Sequence, residues 1–213
     1  MGGLVLDEIR RLLDRRATFH CKHRGGGFQT RDFLLAHTIE RIPSSTEFPD
    51  WLPASMHRVL SESGTMVLFH PEDLPEEGFR LFSADECVLH RALFRKTIEE
   101  ARQMLGDAGA DDPARQETWM NGLCPIAEVM ASGDYFAIDT ESARGQEECP
   151  IIYLDHEYYF SGWLDSEEVE IVASDVVELV KIVLKDPLKY LDAHWTGGDP
   201  YDQWFPESVS FSS

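Results

Sequence analysis

Residues 132–175 read SGDYFAIDTESARGQEECPIIYLDHEYYFSGWLDSEEVEIVASD. Ser132-Gly133-Asp134 is a turn signal, because glycine and short polar side chains accept the backbone angles a reversal needs. Phe136 and Ile138 then alternate with Tyr135, Ala137 and Asp139, the two-residue period of a strand. Ile151 to Leu154 is β-branched and aromatic, so a second strand fits. The polar stretch 141–148 joins the two as a hairpin with a long loop. A third strand is expected over 158–164 and a fourth over 169–173. The segment ends at Asp175, which with Glu178 has the spacing of a helix N-cap and its N3 partner. Val176, Leu179, Val180, Val183 and Leu184 follow as one apolar stripe. Pro187 should kink or restart that helix, with Asp186 as the new cap.

Upstream, the pattern turns helical. Ser83 and Glu86 form a capping box for a helix over 83–105, whose periodicity runs loosely through Leu89, Leu93 with Ala92, Lys96/Thr97, Glu100/Ala101 and Met104. Gly106 ends it in a small acidic turn over 106–113. Ala54 to Ser63 reads as a helix between Pro53 and Gly64, followed by a short β-type run over 65–69. A helix is also expected over 32–42, ended by Pro43. Leu6, Ile9, Leu12 and Leu13 mark an amphipathic helix near the N-terminus, and Gly25-Gly26-Gly27 reads as a flexible loop. Helices, then strands, then a closing helix point to an α+β fold: a single, mainly antiparallel sheet covered by helices. Residues 1–39 are expected as an N-terminal helical extension, 40–192 as the domain and 193–213 as an aromatic, acidic tail. Gly197, Gly198, Pro200 and Pro206 are expected to exclude regular structure there. Its rings, among them Trp195, Tyr201, Trp204, Phe205 and Phe211, either pack on the domain or contact a partner.

The 213 residues, 43% hydrophobic, can bury one sizeable core. The formal net charge is −20, and it is unevenly spread. Residues 1–105 hold 14 Lys/Arg against 16 Asp/Glu, a net of −2; residues 106–213 hold 5 against 23, a net of −18. Such a half repels nucleic acid and anionic membrane and attracts a basic partner. No apolar run has a membrane helix's length, and the N-terminus meets charge at Asp7, so a cytoplasmic protein is expected. Cys21, Cys87, Cys124 and Cys149 are scattered, as idle thiols are in a reducing compartment. His20-Cys21-Lys22-His23 lacks a fourth ligand and paired zinc spacing, and reads as a solvated loop. Cys149, beside Glu147 and Glu148, should have a raised thiol pKa rather than an activated one.

The best enzyme case rests on Asp134, Asp139, Asp155, His156 and Glu157, in which Asp139, Asp155 and His156 could bind a metal or work as acid and base. Strand alternation would put Asp155 and His156 on opposite faces. A non-catalytic binding face suits these residues better. It would comprise Asp139, Glu141, Glu147, Glu148, Asp155, Glu157, Tyr158, Tyr159, Asp165, Glu167 and Glu168, with no cofactor.

Four segments carry a family resemblance: LPASMHRVLSESG (52–64), PIAEVMASGDYFAIDT (125–140), CPIIYLDHE (149–157) and IVASDVVELVKIVL (171–184). In their order and spacing the chain resembles the SUKH superfamily, the Smi/Knr-like family related to a yeast cell-wall-synthesis regulator. Two positions depart from the pattern: Ser63 stands where Asn often precedes the glycine, and Asp175 where an aromatic is usual. The resemblance implies a central sheet covered by helices and a protein-binding role. Many bacterial members look like immunity proteins that neutralise toxins, often nucleases. The expected partner is a basic toxin domain; a scaffold binding a housekeeping protein is the alternative. The resemblance supplies no catalytic residues.

Overall fold

Strands β1 (Arg16–His23), β2 (Thr30–Glu40), β3 (Thr65–Pro71), β4 (Gly78–Leu81), β5 (Leu123–Met130), β6 (Asp134–Asp139), β7 (Ile151–Leu154) and β8 (Glu170–Ala173) lie side by side in chain order. Each is antiparallel to the next. The last strand, β9 (Trp204–Ser212), returns to the start of the meander and pairs antiparallel with β1. The result is one nine-stranded sheet in an α+β protein. The computed structural model describes residues 2–23, 29–42, 47–71, 77–105, 113–130, 132–140, 149–159, 169–191 and 204–212. The triple glycine, most of the 106–113 turn, the 141–148 connection and the aromatics Trp195 and Tyr201 lie outside the described residues.

Helices cover both faces, but unequally. On one face lie α1 (Gly2–Leu13), α2 (Ala54–Ser63), α6 (Val176–Lys185) and α7 (Leu188–Leu191). Phe19, Leu35, Met66, Phe79, Phe136 and Ile151 meet them there, so this core runs the width of the sheet. On the other face, α3 (Ala84–Leu105) and α4 (Pro113–Gly122) pack only over the β5–β8 side, around Phe94, Ile98, Met120, Ala137 and Leu154. Alternation along β6 divides its residues: Phe136 and Ile138 enter the first core, Tyr135 and Ala137 the second. No described helix is long and apolar enough to cross a membrane.

Local signals work where they are self-contained. Ser83 N–H donates to Glu86 Oε2 at 2.8 Å, and Glu86 N–H donates to Ser83 Oγ at 3.2 Å, closing the predicted box at the start of α3. Glu178 N–H donates to Asp175 Oδ1 at 2.8 Å at the start of α6, while Glu178 in return accepts from Ser174 N–H at 2.7 Å. Glu8 of α1 reaches Lys181 at 2.8 Å and Lys185 at 2.7 Å; these contacts hold its carboxyl down at about 2. Asp186 breaks α6 from α7, as Pro187 requires. Gly64 ends α2 at φ +84°, where a Cβ would lie 2.1 Å from the Glu40 carbonyl oxygen, so β2 and β3 can pair only past a glycine.

Five expectations are corrected. Residues 32–42 are not helical: 30–40 form β2, paired on both edges, with Phe33 and Leu35 buried and Leu34 and Ile39 exposed at 49% and 42%. A short apolar run fits either period, and pairing on both sides decided it. Residues 1–39 therefore hold α1 and two strands of the common sheet, not a helical extension. His20-Cys21-Lys22-His23 is the end of β1, not a loop, with Cys21 buried. The described part of the expected third strand, Tyr158 and Tyr159, belongs to a helical turn, α5 (His156–Tyr159). Asp155 starts that turn by accepting from Glu157 N–H at 2.8 Å. Part of the tail is regular: residues 204–212 are β9, packed on the domain, with Trp204 buried. Pro206 is tolerated because β9 is an edge strand and the β1 register shifts beside it.

The long helix α3 turns differently from its reading. Its buried residues are Cys87, Phe94, Ile98 and Ala101. Val88, Leu89, Leu93 and Met104 are exposed at 51%, 55%, 46% and 79%. The helix has two apolar faces, and of the expected stripe Ala101 lies on the buried one while Leu89, Leu93 and Met104 lie on the outer one.

Candidate functional site

The β6–β7 hairpin forms as expected, with Tyr135 opposite Leu154 and Ile138 opposite Ile151. That register fixes the fate of the candidate acid–base group. Asp139 follows Ile138 at one end of the ladder, whereas Asp155 follows Leu154 at the other. The two carboxylates flank opposite ends, so Asp139, Asp155 and His156 do not assemble into a site. Asp134 takes the place expected for Asp139, because it lies at the same end as Asp155.

Asp134, Asp155 and His156 present ligand-type atoms within 4.8 Å of one another. His156 stands 2.7 Å from Asp134 Oδ1 and 3.7 Å from Asp155 Oδ1 through Nδ1. Alternation does not separate Asp155 from His156, because the strand has ended at Leu154 and His156 already opens α5. Asp134 is fully buried. Its Oδ1 accepts from the His156 backbone N–H at 2.9 Å as well as from the ring, and its Oδ2 accepts from the Tyr153 hydroxyl at 2.8 Å.

Burial alone would raise the Asp134 carboxyl; hydrogen bonds from His156, Tyr153 and Ser132 outweigh it and hold it below its ordinary value. The same hydrogen bond to Asp134 raises the His156 ring against partial burial. A carboxylate surrounded by protein donors on both oxygens is poorly placed to ligate a cation. Chemically the group is an ion-pair clamp. It ties the start of β6 to α5, and the Tyr159 hydroxyl donates to the Gly133 carbonyl beside it.

A second constellation was missed in the sequence because its members are far apart in the chain. On the face of β9–β1–β2 that carries no described helix, Asp32 Oδ1 lies 2.8 Å from His20 Nδ1, and Ser210 Oγ lies 2.9 Å from His20 Nε2. The bonding order is that of an acyl-transfer triad. Its setting is not: Asp32 is 67% exposed on an open sheet surface, where water competes for each bond. We assign it to cross-strand pairing.

The cysteines offer no activated nucleophile. All four are free and buried. Burial pushes the thiols of Cys21 and Cys124 up to about 12 and that of Cys149 up to about 11; Cys87 is raised as well. For Cys149 the charge that adds to burial is Asp139.

The expected binding face is divided by the same hairpin. Asp139 is half-buried at one end; Asp155 is half-buried and Glu157 exposed at the other. Tyr159 is buried against Phe94 and Tyr135 and belongs to the core. Of Tyr158 only the backbone is described. Glu141, Glu147, Glu148, Asp165, Glu167 and Glu168 lie outside the described residues.

Comparisons with protein-family models, with curated proteins and with solved structures gave no match.

Proposed function

We propose that this protein is a non-catalytic protein-binding module, an immunity protein of the SUKH kind that neutralises a basic cognate toxin, of nuclease type, through acidic surface. The observation that carries the reading is the charge asymmetry, a net of −18 over residues 106–213. Nucleases contact phosphate with basic residues. An acidic partner meets such a surface with complementary charge, which accelerates association and disfavours other partners. The four segments that carry the resemblance supply α2, the β5–β6 hairpin, β7, and β8 with α6, all of which contribute to the central sheet or its main core.

The test is binding to a toxin-like protein encoded beside this gene, measured at several salt concentrations. Two charge-reversal variants separate the two acidic stretches of the sequence. One carries Lys at Glu141, Glu147 and Glu148; the other carries Lys at Asp165, Glu167 and Glu168. Weakened binding in at least one variant, with affinity falling as salt rises, is expected. Equal binding by both variants, with little salt dependence, would overturn the reading in favour of a scaffold for a partner that need not be basic.

A further inference from the structure

The open sheet has two edges, and they are built differently. β8, at one end, is four residues long, and its Glu170 lies 4.0 Å from Lys189. A short strand with charge on it is how proteins keep an edge from pairing with other chains. β9, at the other end, is nine residues long, and among the described residues no strand pairs with its outer side. Over 208–212 it reads Ser-Val-Ser-Phe-Ser, with neither a charge nor a proline. Along such an edge every second residue directs its N–H and C=O away from β1, where another strand can accept them.

The side chains of β9 are unfinished on the same side. Ser208, Ser210 and Ser212 are exposed. Val209 and Phe211 alternate with them and pack against the main core, yet both are only half-buried, because no next strand covers them. The Arg15 guanidinium lies over the Phe211 ring at 3.7 Å without completing that cover. The local charge also differs from that of the whole chain. The chain carries a net of −20, so two copies repel over most of their surface. β1 and β9 together carry Arg16 and Lys22 against Glu207, and Lys22 stands 3.6 Å from Glu207. A basic partner gains no attraction from this edge, and a second copy meets no repulsion at it.

We propose that β9 pairs antiparallel with β9 of a second copy, across a twofold axis at Ser210. In that register Ser208 faces Ser212 of the partner copy and Val209 faces Phe211. Apolar residues then meet apolar ones on the core side, serines meet serines on the other, and no charge opposes a like charge. Pro206, which has no N–H to give, lies outside the paired stretch. The remaining exposure of Val209 and Phe211 is covered twice, once on each side of the axis, and the sheet runs on through both copies. The pairing requires nothing of the toxin-like partner, so this proposal and the proposed function can fail separately.

The experiment is sedimentation of the full chain over a wide range of concentration, with thermal melts as folding controls. Two double variants test the register. Ser208→Glu/Ser212→Glu sets two like-charge pairs across the axis; Ser208→Lys/Ser212→Glu sets two opposite-charge pairs at the same positions. A wild-type dimer is expected, at least about tenfold weaker in the first variant and retained in the second. Cross-linking gives a second measurement that does not depend on those variants. Ser210→Cys puts a thiol at the axis beside its own copy, whereas the native cysteines are buried. Mild oxidation should link Ser210→Cys into a covalent dimer and leave Glu207→Cys, well off the axis, largely unlinked. Wild type that stays monomeric at every concentration would overturn the proposal. So would equal weakening of both double variants, no weakening in the first, or equal cross-linking at 207 and 210. A monomeric wild type whose binding to the toxin-like partner is lost in Ser208→Glu/Ser212→Glu would assign this edge to that partner, and it too would overturn the pairing of copies.

Discussion

Helices α3 and α6 begin alike and end up differently. Each opens with a short polar cap and a Glu that turns back on the preceding backbone. Each lies against the central sheet, on opposite faces. Yet α6 carries a single apolar stripe, and Val176, Leu179, Val180, Val183 and Leu184 are all buried. α3 carries two, buries one and leaves the other in water. A helix with one apolar face has one way to pack; with two, the sheet chooses between them, and the remainder is available for something else.

The comparison can be broken at several points. The largest effect belongs to the buried side of α3: Phe94→Ala should cost about 3–5 kcal/mol in chemical denaturation, through lost burial and the cavity left beside Tyr135 and Tyr159. A small loss there would mean that α3 is not packed as described. At the other helix, Asp175→Ala removes the side-chain acceptor of Glu178 N–H and should cost about 1 kcal/mol. An unchanged midpoint would indicate that Ser174 and Glu178 hold the end of α6 without it.

The two sides of the sheet differ in titration as well. His156, raised by Asp134, stabilises the fold fully below its unfolded value of about 6.5. That contribution is lost as pH rises through the higher folded value. His37 works in the opposite sense. It is held down at about 4, first by burial and then by nearby His70. Its neutral Nδ1 accepts from the N–H of Phe69 at 3.2 Å, and Phe69 sits at φ +59°, in the left-handed region. Its contribution fades as pH falls below about 6.5 and continues to fade down to about 4. Denaturation midpoints followed from pH 4 to 9 should therefore drop on both sides. His156→Gln should flatten the alkaline limb alone, and His37→Gln the acid limb alone. A His156→Gln profile that keeps its alkaline slope would remove the ion pair from the account. Smallest of all, Leu89→Ser should change stability by no more than about 0.5 kcal/mol, because its side chain is already in water. A loss comparable to that of Phe94→Ala would show that the outer face is covered within the protein.

The cost of misreading a period is visible in β2. Phe33, Leu34, Leu35, Ile39 and Ile42 satisfy a helical pattern loosely, and nothing within the segment contradicts it. What makes it a strand is the pairing of β1 on one side and β3 on the other, partners that a local window does not contain. The tail shows the same limit at longer range. Its glycines and prolines are genuine breakers, but Trp204 to Ser212 gains a ladder with a strand nearly two hundred residues earlier. Asp139 and Asp155 each close a strand, which by itself suggests a pair. In an antiparallel hairpin, strand ends of the same sense lie at opposite ends of the ladder.

By itself, then, the sequence determined what depends on neighbours in the chain: the caps of α3 and α6, the limits of α2, the β6–β7 hairpin, the break at Pro187 and the distribution of charge. These are set by backbone angles and hydrogen bonds a few residues apart. The tertiary structure alone decided which of α3's faces was buried, that residues 30–40 were a strand, that β9 closed the sheet, and that Asp134 rather than Asp139 met His156. Each of those outcomes is a choice between locally equivalent arrangements, and only contacts between distant segments distinguish them energetically.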